Sequence, residues 1–204
     1  MKKPFFFLFA LVAILLGSMN IQAQVPSDLE DLHRLKNGVL LVKLYTRNKG
    51  VEALKNHGLV KKAAALEKEQ AFKNLAISHA FANNFAFTPK VYFFYSDDSK
   101  KVLQGEFDGV LMGYDLKPLP NINLGNTAYY IAEFGYTEGK GINALLIRNN
   151  QFEQLDPPFP YFVRTYEGIP FLERAYSKVV ELWNDKLFKR YSKFFEVEEA
   201  DAGN

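Results

Sequence analysis

The sequence predicts an α/β fold: a single domain with a mixed β-sheet, a helical crossover after the first strand and a long C-terminal helix packed on the sheet. Three observations predict it. The runs Val39 to Tyr45 and Val91 to Tyr95 have the β-branched and aromatic content of buried strands. An Ala-, Lys- and Glu-rich stretch separates them, so a helical crossover joins them and they run parallel. Leu172, Tyr176, Val179, Trp183, Leu187, Tyr191 and Phe194 form the stripe of a helix lying on a sheet. A thioredoxin-like sheet is the alternative arrangement, suggested by Thr88-Pro89 at a strand start and by Gly105. It would be redox-silent, because Thr46-Arg47-Asn48-Lys49 stands where a Cys-x-x-Cys belongs.

The elements follow in order. A short polar lead-in with Pro26, Ser27 and Asp28 reaches the Asn37-Gly38 turn before the first strand. A helix over 49–57 ends at Gly58, a residue suited to the left-handed C-cap. A second runs from Leu59 to about Phe85, with Leu66, Phe72, Leu75, His79 and Ala82 near one stripe. After Val91 to Tyr95, the polar segment 96–101 reads as a turn and 102–107 as the returning strand of a hairpin. Residues 113–126 are loop by their Gly and Pro content. Residues 129–134 and 142–148 are strands, Asn149-Asn150 turns the chain into 152–155, and 161–166 adds an edge strand. Gly168 and Pro170 mark the start of the closing helix.

Lys2 and Lys3, the apolar run Phe5 to Leu16, and Ala23 after Ile21-Gln22 have the three parts of a cleavable export signal, which places the cut between Ala23 and Gln24. The apolar run is shorter than the roughly 20 residues needed to cross a bilayer, so no transmembrane span is expected in the mature chain. Residues 24–195 form the single domain, and the acidic residues 196–204 a disordered tail. The expected location is periplasmic or secreted. With no cysteine, disulfides and thiolate chemistry are excluded, and the large stock of Phe and Tyr must stabilise the fold by packing. The formal charge of +2 comes from Lys2 and Lys3, and the rest of the chain balances. A neutral domain lacks the footprint for nucleic acid.

Whole segments of the chain resemble a group of exported bacterial proteins of unknown function. The residues concerned are Gly38 to Leu44, Val91 to Gly105 (VYFFYSDDSKKVLQG), 152–166 with its PPFPYFVRTY core, and the closing helix. The resemblance implies an exported location and carries no activity.

Asp97 and Asp98 are the sharpest carboxylate pair, able in principle to hold a hard cation or share acid and base roles. Turn chemistry is the favoured reading of Ser96-Asp-Asp-Ser99, because sequence neighbours point apart and no EF-hand spacing accompanies them. His33, His57 and His79 form no HxxxH or HExxH pair, so no metal site is expected, and no cofactor. The Gly135 to Gly141 loop lacks the spacing of a phosphate-binding loop, and the mature chain has no Gly-x-Ser-x-Gly elbow. Phe159, Tyr161, Phe162 and Tyr166 after a proline-stiffened segment are the candidate ligand-binding surface, with burial in the core as the competing reading. The expected function is a non-enzymatic, exported or envelope-associated protein that binds an unknown protein or envelope component. The alternatives are a metal-dependent or acid/base hydrolase using Asp97, Asp98 and a histidine, and a redox-silent thioredoxin-like holdase with an apolar groove near Pro89.

Overall fold

A computed structural model describes residues 27–196. The export signal, its cut between Ala23 and Gln24, and tail residues 197–204 lie outside the described residues. The elements are α1 (Ser27–Asn37), β1 (Val39–Leu44), α2 (Asn48–Asn56), α3 (Val60–Asn84) and β2 (Lys90–Tyr95). A single 3-10 turn (Ser96–Asp98) leads into α4 (Ser99–Leu103). The chain continues through β3 (Tyr129–Tyr136), β4 (Asn143–Arg148), β5 (Phe162–Arg164) and α5 (Tyr176–Tyr191), which ends in a π-turn (Ser192–Glu196). The five strands form one mixed sheet in the order β2-β1-β3-β4-β5. β1 lies between β2 and β3 and is parallel to both, whereas β3–β4 and β4–β5 are antiparallel. The α/β class, the helical crossover and the closing helix on the sheet are as the sequence predicts.

Strand alternation sorts side chains to two faces. Leu40, Val42 and Leu44 of β1 point into the larger core, with Leu32 and Leu35 of α1, Ile77 and Phe81 of α3, and Val179, Val180, Trp183 and Leu187 of α5. Trp183 is fully buried, stacks on Phe85 with ring centroids 5.0 Å apart, and donates its indole N–H to the Pro160 carbonyl at 2.9 Å. On the other face, Val39, Leu41, Phe94 and Ile131 pack beneath Val102, Phe107, Val110, Leu111 and Leu124.

Five expectations change, the first being that 152–155, expected as a strand after the Asn149-Asn150 turn, makes only an isolated bridge between Gln154 and Arg148. The polar lead-in is helix α1, anchored by Leu32 and Leu35. The hairpin after β2 is absent: 102–107 is the end of α4 and a loop, and Val102 and Phe107 are buried because this segment lies flat on the sheet. The closing helix begins at Tyr176, after a hydrogen-bonded loop closed by the Arg174 N–H on the Thr165 carbonyl, 2.8 Å. The stripe assigned to α3 faces outward, with Phe72 62% exposed; the buried face is instead Ala63, Gln70, Asn74, Ile77, Ser78, Ala80 and Phe81. Polar side chains occupy that face because they have partners there: Asn74 donates to the Tyr45 carbonyl (2.9 Å) and Ser78 to the Tyr114 carbonyl (2.6 Å).

Candidate functional site

A cleft of about 1130 Å³ opens at the carboxyl ends of β1 and β3. Its position follows from topology. After β1 the chain leaves into α2 and α3, and after β3 it turns back as an antiparallel hairpin. Diverging connections leave a crevice beyond the strand ends, the usual place for a site in sheets of this type. The walls are Tyr45 and Arg47 from the chain after β1, the inward face of α3 from Gln70 to Asn84, Phe134 to Tyr136 of β3, and the segment that leads from β5 into α5.

The floor is a charged cluster set into apolar strands. Glu133, 6% exposed, accepts from Lys43 Nζ (2.8 Å) and the Tyr45 hydroxyl (3.1 Å) on Oε2, and from Arg148 Nε (2.7 Å) on Oε1. Register accounts for the meeting: Lys43 pairs with Glu133 across β1 and β3, and Arg148 lies opposite Ile131, two residues back on the same face. Arg148 also donates to Glu138 Oε1 (2.8 Å) and the Phe152 carbonyl (3.1 Å). Burial pushes the Glu133 carboxyl up, but the hydrogen bonds and charges of Lys43 and Arg148 outweigh it and hold the group below its ordinary value of 4.5. Burial, then the Glu133 charge, raises the Tyr45 phenol well above its usual 10. Glu133 therefore stays ionised and Tyr45 protonated near neutrality. Both oxygens of this carboxylate are thus engaged, Oε2 by Lys43 and Tyr45 and Oε1 by Arg148.

Above the floor, Gln70 Nε2 donates to Asn74 Oδ1 (3.0 Å), and Asn143 donates its side-chain amide to Glu167. Phe134 and Tyr176 meet edge to face, centroids 4.7 Å apart. Burial raises the Tyr176 phenol, which also feels Lys73 and Arg47 as lowering influences and Glu167 and Glu173 as raising ones. Arg174 donates to the Arg164 carbonyl (3.1 Å) and lies over the Tyr166 ring at 4.7 Å.

The residues singled out from the sequence lie elsewhere or behind this cleft. Asp97 Oδ2 accepts from Thr46 Oγ1 (3.0 Å) and Asn48 Nδ2 (2.6 Å), tying the turn after β2 to the chain after β1. Asp98 pairs with Lys101 Nζ at 2.8 Å. His33 packs against Tyr191 and Phe195, His57 caps α2, and His79 is exposed on the cleft wall. Among the described residues no group of three or more His, Cys, Asp or Glu is placed to hold a metal ion. Phe159, 3% exposed, is part of the larger core; Tyr161 is half-buried against that core, and Tyr166 is half-buried under Arg174 beside the cleft. Pro89 precedes β2 and so lies at the amino ends of the parallel strands, the opposite edge of the sheet from the cleft.

Sequence reasoning missed Lys43, Glu133 and Arg148, although each left a signal. Each is a charge in a strand that is otherwise largely apolar: VLLVKL, YYIAEFGY and NALLIR. Buried charges occur when paired, so three such interruptions imply one cluster. No protein-family model matches the chain, and no curated protein or solved structure matches it.

Proposed function

We propose that the protein is an exported, non-enzymatic binding protein that takes a polar small molecule in the cleft at the carboxyl ends of β1 and β3. The single observation that carries this reading is a large cleft, with polar groups set among apolar walls, over a floor whose charges are satisfied by one another. A carboxylate held by Lys43, Tyr45 and Arg148 is poorly placed to exchange a proton, whereas fixed donors and acceptors are what selective binding needs. The polar residues of α3, β3 and the loop before α5 meet the ligand. Export rests on the charged, apolar and small-residue parts of residues 1–23.

The test is amide NMR of the mature protein with pooled polar small molecules, beside an Asn83→Trp variant that fills the cleft from an exposed wall position. Binding here shifts resonances around Tyr45, Phe134 and Tyr176 in the parent and leaves the variant unmoved. Saturating pools that move none of them, or that bind the variant equally, overturn the reading.

A further inference from the structure

Counting which cleft charges are already answered within the protein leaves one of each sign. Lys43 and Arg148 are answered by Glu133, Lys73 by Glu69 at 3.3 Å, and Glu167 by the Asn143 amide. Arg174 is held by a backbone carbonyl and the Tyr166 ring. Arg47 and Glu173 remain. Both line the cleft, and among the described residues neither side chain has a hydrogen bond or an ion pair. Both stand on the wall of the same cleft, and they do not close into a salt bridge with one another.

The backbone at Arg47 makes this side chain one that can be removed without strain. Arg47 sits in the left-handed region, φ 55° and ψ 21°, at the N-cap of α2, and makes no side-chain cap there. This chain uses glycine at Gly58, Gly105, Gly109 and other positive-φ turns. Leu116, Asn121, Phe152, Tyr166 and Phe171 also sit at positive φ, so the conformation is not peculiar to Arg47, but glycine would be the relaxed choice there and Arg47→Gly removes the guanidinium without adding backbone strain.

We infer that the cleft binds a zwitterion with a carboxylate and a primary ammonium in one molecule, a free amino acid or a short peptide, with the carboxylate on Arg47 and the ammonium on Glu173. Arginine suits a carboxylate because its planar guanidinium offers two parallel donors. A simple anion would leave Glu173 facing it unanswered. The edge-to-face Phe134–Tyr176 pair provides an apolar wall for a side chain. A volume of about 1130 Å³ exceeds what one amino acid fills, which favours a peptide of a few residues. The inference rests on the reading of the cleft as a ligand site and adds the ligand's class.

The experiment is calorimetric titration of the mature protein with glycine, Ala-Ala and Ala-Ala-Ala, and with N-acetylated and C-amidated Ala-Ala, on the parent, Arg47→Gly and Glu173→Gln. At least one uncapped probe binds, and either cap weakens binding tenfold or more. Arg47→Gly weakens the uncapped peptide at least tenfold and changes the C-amidated one little, with Glu173→Gln doing the converse for the N-acetylated one. Arg47→Gly melts no lower than the parent, because glycine relieves the left-handed strain, so its loss of binding is not a loss of folding. Equal binding of capped and uncapped probes, or affinities unmoved by both substitutions, overturns the inference. If none of these probes binds while other polar molecules shift the cleft resonances, the zwitterion assignment fails and the cleft reading stands. If nothing binds in either experiment, both fall.

Discussion

Replacing Trp183 by alanine tests whether α5 is core. The side chain is fully buried, stacked at 10° on Phe85, and its indole N–H satisfies the Pro160 carbonyl just before β5. Truncation therefore removes transfer free energy, leaves a cavity and strands a buried acceptor. Large aromatic truncations cost roughly 3–5 kcal/mol, and the lost stack and the orphaned carbonyl put this one at the upper end. That is a large share of a typical domain's stability of about 5–15 kcal/mol. Trp183→Phe keeps a ring over Phe85 and loses the N–H and some volume, so it should cost less, about 1–3 kcal/mol. Urea unfolding followed by far-UV circular dichroism measures both, with an unchanged slope required to read the midpoint shift as stability. The parent should emit at a blue-shifted wavelength that anionic vesicles do not alter. An alanine variant within about 1 kcal/mol of the parent, or solvent-exposed emission before unfolding, would refute the placement of this helix in the core.

Three further outcomes are expected. Glu133→Gln leaves Lys43 without a counter-charge and Arg148 with only the exposed Glu138, and should cost roughly 3–5 kcal/mol at neutral pH. Because the folded-state value of Glu133 lies below 4.5, its stabilisation is full above the ordinary carboxylate range and is lost as pH falls through the folded value, so parent and variant stabilities should converge in acid; parallel pH–stability curves would count against the cluster. Gly38→Ala should destabilise by about 1–3 kcal/mol or more, since its Cβ would stand 2.4 Å from the Ala128 carbonyl oxygen and 2.5 Å from that of Arg34, both backbone atoms that cannot swing away; a thermal midpoint equal to the parent's would contradict that packing. Asn at both 97 and 98 should shift stability by within about 1 kcal/mol, because an exposed amide can still accept from Thr46 or Asn48; loss of a tightly bound divalent ion on this change would instead reveal a metal site.

The parts of the fold that could be read in the sequence are those where one physical signal dominates. β1, β2 and α5 announce themselves through apolar runs or a periodic stripe, and Gly58, at φ 72°, ends the first crossover helix where a left-handed residue is wanted. Errors arose where tertiary contacts reverse the local signal. Val102 and Phe107 look like a strand returning from a turn, yet they are buried because a short helix and a loop are pressed onto the sheet. In α1 the Leu32 and Leu35 stripe is diluted by Glu30, Asp31, His33, Arg34 and Lys36, so the segment reads as polar.

Helix α3 shows why the site was harder to read than the fold. Amphipathicity assigns apolar residues to the inside, which put Phe72 and Leu75 there; the protein instead turns Gln70, Asn74 and Ser78 inward, at four-residue spacing. Ile77, Ala80 and Phe81 keep part of that face in the apolar core, and the polar residues beside them are tolerated because they have partners: Asn74 holds the backbone of Tyr45, the residue whose hydroxyl completes the Glu133 cluster. The helix face and the three strand charges are thus two sides of one construction, in which the crossover helix braces the first strand's exit by hydrogen bonds where most of a core would use packing. The buried polar stripe of a helix and the lone charges of neighbouring strands, taken together, are therefore the trace that this site leaves in the sequence, and each is uninformative without the other.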